Sequence, residues 1–249
     1  MNNKKEILNK ALPIITIACI FCFWSIASTI IGDEYILPSV NQTLSALVKL
    51  FYSGEFYLSV AMTFLRSIIA FVISFILGIV LARLRSRFAI LGKVIEPVIS
   101  VIRALPTIAI VLLLYFSMSA NQSPIVVTTL VVLPTSYTQM LSAFEGVDKR
   151  SVEAGAVDGA DKKQIFKHIE FPQMAPAFFR SVGSGISLNF KLMVAAEVIA
   201  QTADSLGFLL NFSKSTWEPS PMMALVLVAV VIGAFVELIF NKIASSKEI

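Results

Sequence analysis

Among the ionisable side chains that lie within long apolar segments of this 249-residue chain, three are singled out. A charge at bilayer depth is costly, and it marks either a solute pathway or a buried ion pair. They are Arg103, Lys191 and Glu197. Six residues separate Lys191 from Glu197, which turns them toward different sides of a helix, so we do not expect them to pair. Glu197 is instead expected to meet a base on another helix, with Arg103 the first candidate, beside a translocation path or in a structural salt bridge.

The rest of the sequence offers little for catalysis. The Gly92-Lys93 pair lacks the upstream glycine and the following hydroxyl residue of a phosphate loop, and no zinc motif or nucleophile elbow is present. The single histidine, His168, lies in a polar segment and is expected at the surface. Cys19 and Cys22 are one helical turn apart in an apolar run, where we expect packed thiols rather than a disulfide. The chain is therefore not expected to be an enzyme or to hold a cofactor or metal of its own.

Composition places these residues in a membrane protein. The chain is 57% hydrophobic and only 14% charged, outside the range of soluble globular domains. We predict an all-α, polytopic bundle of six transmembrane helices, because six apolar segments are long enough to cross a bilayer of about 30 Å. A cleaved signal peptide is the alternative for the first segment, although its apolar run is long for one. The predicted spans are residues 11–32, 60–84, 94–118, 125–144, 177–200 and 222–240.

Basic residues predict the orientation of the bundle. Fourteen Lys and Arg residues lie on the side of the termini and of the polar interval 145–176, against two on the other side. The positive-inside rule then places both termini and that interval in the cytoplasm. This distribution is more informative than the net charge of +4, and no nucleic-acid partner is expected. The fourteen are Lys4, Lys5, Lys10, Arg83, Arg85, Arg87, Lys93, Lys149, Arg150, Lys162, Lys163, Lys167, Lys242 and Lys247; the two are Lys49 and Lys214.

Two spans carry further local signals. The second span has a small residue at every fourth position, which predicts close helix–helix approach where lipid offers no hydrophobic driving force. The third span is interrupted at Arg103-Ala104-Leu105-Pro106, where the proline removes a backbone donor and should kink the helix. The small residues are Ala70, Ser74, Gly78 and Ala82.

The polar interval 145–176 has the pattern of two short helices. The first should run from about residue 149 to 157 and stop at Gly159, which takes a left-handed conformation easily. The second should begin at Asp161, an N-cap with Gln164 as its capping-box partner. It is predicted to end before Pro172, because the residue ahead of a proline avoids helical geometry. Its apolar face is formed by Ile165, Phe166 and Ile169.

The spacing within this interval resembles the EAA loop of ABC-importer permeases. The pattern is Glu153-Ala154-Gly155, three residues, Gly159, nine residues, and Ile169-Glu170-Phe171-Pro172; Gly155 and Phe171 depart from the usual Ala and Leu. Other segments are similar to landmarks of the permeases for nitrate, taurine and aliphatic sulfonates, a subfamily that also includes permeases for thiamine-precursor pyrimidines and riboflavin. These segments are Leu37-Pro38-Ser39, Thr63-Phe64-Leu65-Arg66, Arg103-Ala104-Leu105-Pro106 and Ala196-Glu197.

The resemblance implies the permease subunit of an ATP-driven importer. It further implies a second permease copy, cytoplasmic ABC ATPase subunits that carry ATP and Mg²⁺, and an external solute-binding protein. An ATP-independent secondary transporter that uses the three intramembrane charges is the alternative, and a membrane enzyme is disfavoured by the absence of a polar constellation at either face. The residues implied in coupling to the ATPase are Glu153, Ala154, Gly155, Ala156, Gly159, Ile165, Phe166, Ile169 and Pro172.

Overall fold

The structure, a computed structural model, describes residues 2–246, with side chains for residue 12 and residues 15–246. All regular secondary structure in this part of the chain is helical, as predicted. The predicted cytoplasmic residues Lys4, Lys5, Lys10 and Lys247 fall outside the described side chains. The helices are α1 (Asn2–Ile31), α2 (Val40–Leu50), α3 (Gly54–Arg87), α4 (Ala89–Ala104), α5 (Thr107–Ser117), α6 (Ser123–Glu145), α7 (Lys149–Val157), α8 (Lys162–Ile165), α9 (Phe171–Ala200), α10 (Leu206–Ser215) and α11 (Pro219–Ser245).

The helices are those of a multi-pass membrane protein. Four are long and apolar enough to cross a bilayer: α3, α6, the continuous stretch Lys162–Ala200 that ends in α9, and α11. The bent pair of α4 and α5 makes a fifth if it counts as one span. In α1 the apolar helix within the described side chains, Ile15–Ile31, is shorter than these. The predicted spans 60–84, 125–144, 177–200 and 222–240 therefore lie within α3, α6, α9 and α11.

The third predicted span is broken where a kink was expected. Its halves, α4 and α5, are bent by 90° relative to each other. Leu105 is extended, with φ −69° and ψ 128°, because it precedes Pro106, and Pro106 is itself extended at the N-terminus of α5. With two consecutive non-helical residues the chain changes direction instead of bending within one helix.

The small residues of α3 lie against α6. Ala70, Ser74 and Ala82 are fully buried, and the Ala70 carbonyl accepts a hydrogen bond of 3.3 Å from the Thr129 hydroxyl. A Cβ atom on Gly78 would lie 2.9 Å from the backbone nitrogen of Tyr137. The backbones of α3 and α6 thus approach as closely as small side chains allow. Around this contact an apolar core forms from Phe71, Phe75, Ile99, Val132, Tyr137, Met140 and Met174.

The chain divides into two compact units. The larger unit contains the core of α3, α6 and α9 and comprises, within the described chain, residues 58–208 and 229–246. The smaller unit comprises the described residues up to 57 and residues 209–228. In the smaller unit the Trp24 indole donates to the Pro38 carbonyl (3.0 Å), and Ser39 forms a capping box with Gln42 at the start of α2. Cys19 and Cys22 are free thiols exposed along α1, so the expectation of packed thiols is wrong; this surface of α1 has the apolar character that lipid covers.

Candidate functional site

The polar interval begins with α7, which is capped at its first turn. The Asp148 carboxylate accepts hydrogen bonds from the Ser151 hydroxyl (2.8 Å) and from the backbone N–H of Arg150 (3.0 Å). These two donors hold the pKa of Asp148 below its usual value, the Ser151 bond contributing most. The helix ends at Val157, and Gly159 then turns the chain with φ +84°.

A reciprocal cap starts the second helix, α8. The Asp161 carboxylate accepts from the Gln164 backbone N–H (2.7 Å), while the Gln164 side-chain oxygen accepts from the Asp161 N–H (2.8 Å). Two backbone donors that the helix cannot satisfy internally are paired in this way. The two helices and the Gly159 turn, residues 148–170, are called the hairpin loop below.

The two arms of the hairpin loop pack through Gly155. A Cβ atom on Gly155 would lie 2.5 Å from the end of the Ile169 side chain and 3.8 Å from Ile165. Glycine at this position, where the related pattern has alanine, therefore makes room for Ile169. Ile165 and Ile169 are half-buried in this contact, whereas Glu153, Ala154, Ala156, Gly159 and Phe166 are exposed.

The second arm does not end before Pro172, so that prediction is wrong. Phe166–Glu170 forms a π-helical segment in which the Phe171 N–H donates to the Phe166 carbonyl. Phe171 itself is helical, with φ −61° and ψ −44°, and Pro172 lies in the first turn of α9. In the wider π turn each N–H donates to the carbonyl five residues earlier instead of four. This change in pairing occurs next to Pro172, which has no N–H to donate, and the helix continues through it. The second arm and the spanning helix α9 are consequently one helix, Lys162–Ala200.

Glu197, near the far end of α9, is fully buried and paired. Its carboxylate accepts hydrogen bonds from the Thr63 hydroxyl (2.7 Å) and from the Arg66 guanidinium (3.1 Å). Arg66 also donates to the carbonyls of Ala203 and Asp204, at 3.2 Å each. Thr63 in turn accepts from the backbone N–H of Leu206 (2.9 Å). Thr63, Arg66 and Glu197 are called the buried ion-pair cluster below.

The predicted partner of Glu197 was therefore wrong. Arg103 is exposed at the end of α4, and Arg66 occupies the position beside the carboxylate. The sequence places Arg66 in an apolar span and in the segment Thr63–Arg66, but it was not predicted to pair with Glu197. The sequence signal that could have identified Arg66 is its spacing from Thr63. Three residues separate the two, which places the hydroxyl and the guanidinium on one face of an apolar helix.

The cluster fixes the connection between α9 and α10. Gln201 and Asp204 have positive φ values of 50° and 49°, a strained conformation for residues other than glycine. Arg66 binds two carbonyls of this turn, and Gly207 packs so closely that a Cβ atom would lie 2.3 Å from that of Glu197. The paired charges and their hydrogen bonds therefore satisfy a buried turn and leave no room for a solute in this conformation. Within the described chain, no group of three or more His, Cys, Asp or Glu residues could hold a metal ion.

Two charged residues, Lys191 of α9 and Glu237 of α11, lie where these helices meet. Glu237 was not among the charges singled out from the sequence. Lys191 is exposed, and its stem passes Gly233, where a Cβ atom would lie 3.1 Å from the lysine Cε. Glu237, inside the predicted sixth span, accepts a hydrogen bond from the Ser187 hydroxyl (3.2 Å). Of the three predicted intramembrane charges, the structure thus brings Arg103 and Lys191 to the surface of the chain and buries Glu197.

Known proteins resemble the chain in sequence over most of its length. The model of the family described as "Binding-protein-dependent transport system inner membrane component" matches residues 74–247. A probable ABC transporter permease of Brucella melitensis is 24% identical, over 81% of this chain and 82% of that protein. The riboflavin transport system permease protein RibX of Chloroflexus aurantiacus is 22% identical (88% and 82%). The taurine transport system permease protein TauC of Escherichia coli is 20% identical (87% and 80%).

Solved structures share the fold. A chain of the MetNI methionine ABC transporter in an inward-facing conformation matches with a TM-score of 0.61 at 18% identity, over 78% of this chain and 94% of that one. A chain of a bacterial ABC transporter involved in the import of alginate matches with a TM-score of 0.62 at 15% identity, over 98% and 97%.

Proposed function

Because this chain belongs to the family of binding-protein-dependent transport system inner membrane components, we propose that it forms the membrane path of an ATP-driven importer for nitrate, taurine or an aliphatic sulfonate. The working complex contains a second permease copy, two cytoplasmic ABC ATPase subunits that bind ATP and Mg²⁺, and an external solute-binding protein. Both termini and the hairpin loop face the cytoplasm of a bacterial cell. Riboflavin and thiamine-precursor pyrimidines are the alternative solutes. The riboflavin and taurine permeases are 22% and 20% identical to this chain, and identities so similar do not favour one solute over the other.

The observation that carries this proposal is the hairpin loop together with its continuation into α9. ATP hydrolysis on a separate subunit must move helices that the ATPase never enters, and a flexible loop would dissipate that motion. Here both arms are capped and pack through Gly155 and Ile169, and the second arm is continuous with a spanning helix. A rigid element that joins the cytoplasmic surface to the membrane is what such transmission requires.

The outer surface of the hairpin loop also favours a protein partner. Val157 is 87% exposed and Phe166 is 44% exposed, beside the small residues Ala154 and Ala156. Large apolar side chains next to small ones allow another protein to approach closely and cover them. An ATP-independent secondary transporter would need no such surface at the end of a capped loop.

The test replaces Gly159 by Val and Glu153 by Lys. Nothing lies within 4 Å of a Cβ atom at Gly159, so Gly159→Val acts through the positive φ alone and strains the turn by about 1 kcal/mol or more. We expect both variants to insert normally but to lose the co-purifying ATPase and ATP-driven uptake. Gly32→Val, at φ +64° after α1, and Glu55→Lys, at the start of α3, are the matched controls and should retain both.

Uptake into vesicles identifies the solute and the energy source. The permease, the ATPase and the binding protein are reconstituted with taurine, nitrate, an alkylsulfonate, riboflavin or a pyrimidine, with and without ATP. The proposal expects ATP-dependent uptake of one of the first three. Full retention of ATPase binding and uptake in both loop variants would show that the hairpin loop does not couple, and uptake without ATP would establish the secondary transporter.

A further inference from the structure

Helix α2 of the smaller unit has an exposed surface of two kinds. Thr43 and Ala46 are buried on one side of the helix. The exposed arc begins with an apolar stripe whose members recur at intervals of four and three residues, which places them on one face. At about 100° per residue, a polar face follows about 90° further round the helix. The apolar stripe, called the α2 stripe below, is Leu44, Val48 and Phe51, and the polar face is Asn41, Ser45 and Lys49.

The two faces suit different surroundings. The side chains of the α2 stripe are left 45–53% exposed by the described part of the chain. The polar face instead lines an open cavity of about 700 Å³, whose wall also carries the carboxylates of Glu34 and Glu218. Carboxylate, amine, amide and hydroxyl groups around such a cavity suit water, whereas the stripe suits lipid. A helix with an apolar and a polar face side by side is typical of the plane where membrane and water meet.

The start of α2 is tied to the side of α1, inside its apolar end. The exposed side chains of α1 include Ile20, Phe23 and Ile30, so lipid suits the surface of this helix. The chain turns back after α1 ends, and the Trp24 indole donates to the Pro38 carbonyl (3.0 Å). Trp24 lies seven residues before the end of α1, or about 10 Å along its axis. This agrees with an interfacial helix, which lies about 5–10 Å into the boundary of headgroups and acyl chains, where Trp is also enriched.

The backbone on both sides of α2 is paired without the help of water. The Ser28 hydroxyl donates to the Leu37 carbonyl (3.2 Å), next to the bond from the indole. The capping box satisfies backbone donors at the first turn of α2. At the other end the Tyr57 hydroxyl donates to the Phe51 carbonyl (3.0 Å). A segment that borders lipid needs such pairing, because unpaired backbone groups are costly where water is scarce.

We propose that α2 lies in the interface between the membrane and the external water, with the α2 stripe among lipid acyl chains and the polar face in water. The link to the apolar surface of α1, the depth set by Trp24 and the paired backbone favour lipid over a protein as the cover of the stripe. The choice of the external side rests on the orientation of the importer given above, whereas the interfacial position does not. In this position α2 keeps the cavity beside its polar face open to the outside.

The experiment measures the depth of single nitroxide spin labels on α2. Cys19 and Cys22 are first replaced by Ala, because both native thiols are exposed. Leu44→Cys on the stripe and Ser45→Cys on the polar face are then labelled in the full permease in lipid vesicles. Molecular oxygen concentrates among acyl chains and a nickel chelate stays in water, so the ratio of the two collision rates reports the depth of the label. The two positions are adjacent in the chain, and each is the matched control of the other.

The label at Leu44→Cys should lie about 7–8 Å deeper than the label at Ser45→Cys. This is the separation of two faces about 90° apart on a helix that is about 10–12 Å across with its side chains. Val48→Cys and Asn41→Cys repeat the comparison if either of the first two variants fails to assemble. A thiol reagent that cannot cross membranes, added to intact cells, should react with unlabelled Ser45→Cys from the outside.

Three results would overturn the proposal. Equal depths at the two positions would mean that α2 stands clear of the membrane, and a stripe shielded from both oxygen and the nickel chelate would mean that a second permease copy or another protein covers it. Reaction of Ser45→Cys only after cell lysis would place α2 at the inner surface. ATP-driven uptake is measured on the same variants. Uptake that persists while the stripe lies in water leaves the importer function intact, and an interfacial α2 without ATP-driven uptake does the reverse.

Discussion

Removing the guanidinium of Arg66 should destabilise the permease strongly. The Glu197 side chain is fully buried and that of Arg66 is 9% exposed, so Arg66→Met leaves a carboxylate in the protein interior without its cationic partner, although the Thr63 hydroxyl still donates to it. Breaking a buried pair from one side costs about 3–5 kcal/mol. For a chain of this length each kcal/mol lowers the melting temperature by about 2–4 °C. We therefore expect a decrease of roughly 6–20 °C.

Replacing the carboxylate instead should cost less. In Glu197→Gln the amide oxygen can still accept from Thr63, and Arg66 keeps its bonds to the carbonyls of Ala203 and Asp204. The loss is then that of a hydrogen bond to a charged group, about 1.5–3 kcal/mol. The double variant Arg66→Met/Glu197→Gln buries no unpaired charge, so its cost should fall below the sum of the two single costs by about 1–3 kcal/mol.

The assay is the loss of monodisperse protein on heating in detergent, followed by fluorescence-detected size exclusion. Arg83→Met is the control, because Arg83 pairs with Glu170 at 3.4 Å while 47% exposed, and a pair of this kind is worth at most about 1 kcal/mol. The reasoning is refuted if Arg66→Met melts within about 2 °C of Arg83→Met, or if the effects of the two cluster substitutions simply add.

Two further predictions concern packing and pH. Gly78→Ala forces α3 away from the backbone of Ser136, so it should lower the free energy of unfolding by about 1–3 kcal/mol, read out in the same melting assay. Gly54→Ala has open space around it and should change the melting temperature little. Equal effects of the two variants would contradict the close approach of α3 and α6. The pKa of Asp148 is lowered from 3.8 in the folded state, so its cap is fully present above that pH and is lost as the pH falls through the folded value. Hydrogen exchange in α7, corrected for its intrinsic rate, should therefore accelerate in acid, and a profile identical to that of Asp148→Ala would exclude the cap as the cause.

Features set by neighbouring residues could be predicted from the sequence. Helix α7 has the bounds 149–157 that its pattern indicated, Gly159 takes the positive φ, and Asp161 forms its capping box with Gln164. Each of these depends on interactions over at most a few residues, so the sequence contains the whole cause. The same is true of the apolar segments, since length and hydropathy alone determine which helices suit a bilayer.

Features set by distant residues could not be predicted in this way. The partner of Glu197 lies 131 residues away, and two arginines in apolar segments, Arg66 and Arg103, were equally available to a reading of one chain. Only the folded arrangement places Arg66 opposite the turn whose carbonyls it also binds. The 90° break at Pro106 was likewise underestimated, because a proline specifies the loss of a hydrogen bond but not whether the next helix continues in the same direction.

The wrongly predicted end at Pro172 bears most directly on coupling. A helix that stopped there would have left a hinge between the hairpin loop and the membrane, and motion of the loop could be absorbed at that hinge. The π segment removes the hinge, so the helix from Lys162 to Ala200 extends about 58 Å as one body. Its far end is tied to α3 through Glu197 and Arg66, and Lys191 is exposed between the two ends. If the hairpin loop couples to the ATPase as proposed, we expect a tilt imposed at the loop to pivot about the buried ion-pair cluster and to displace Lys191.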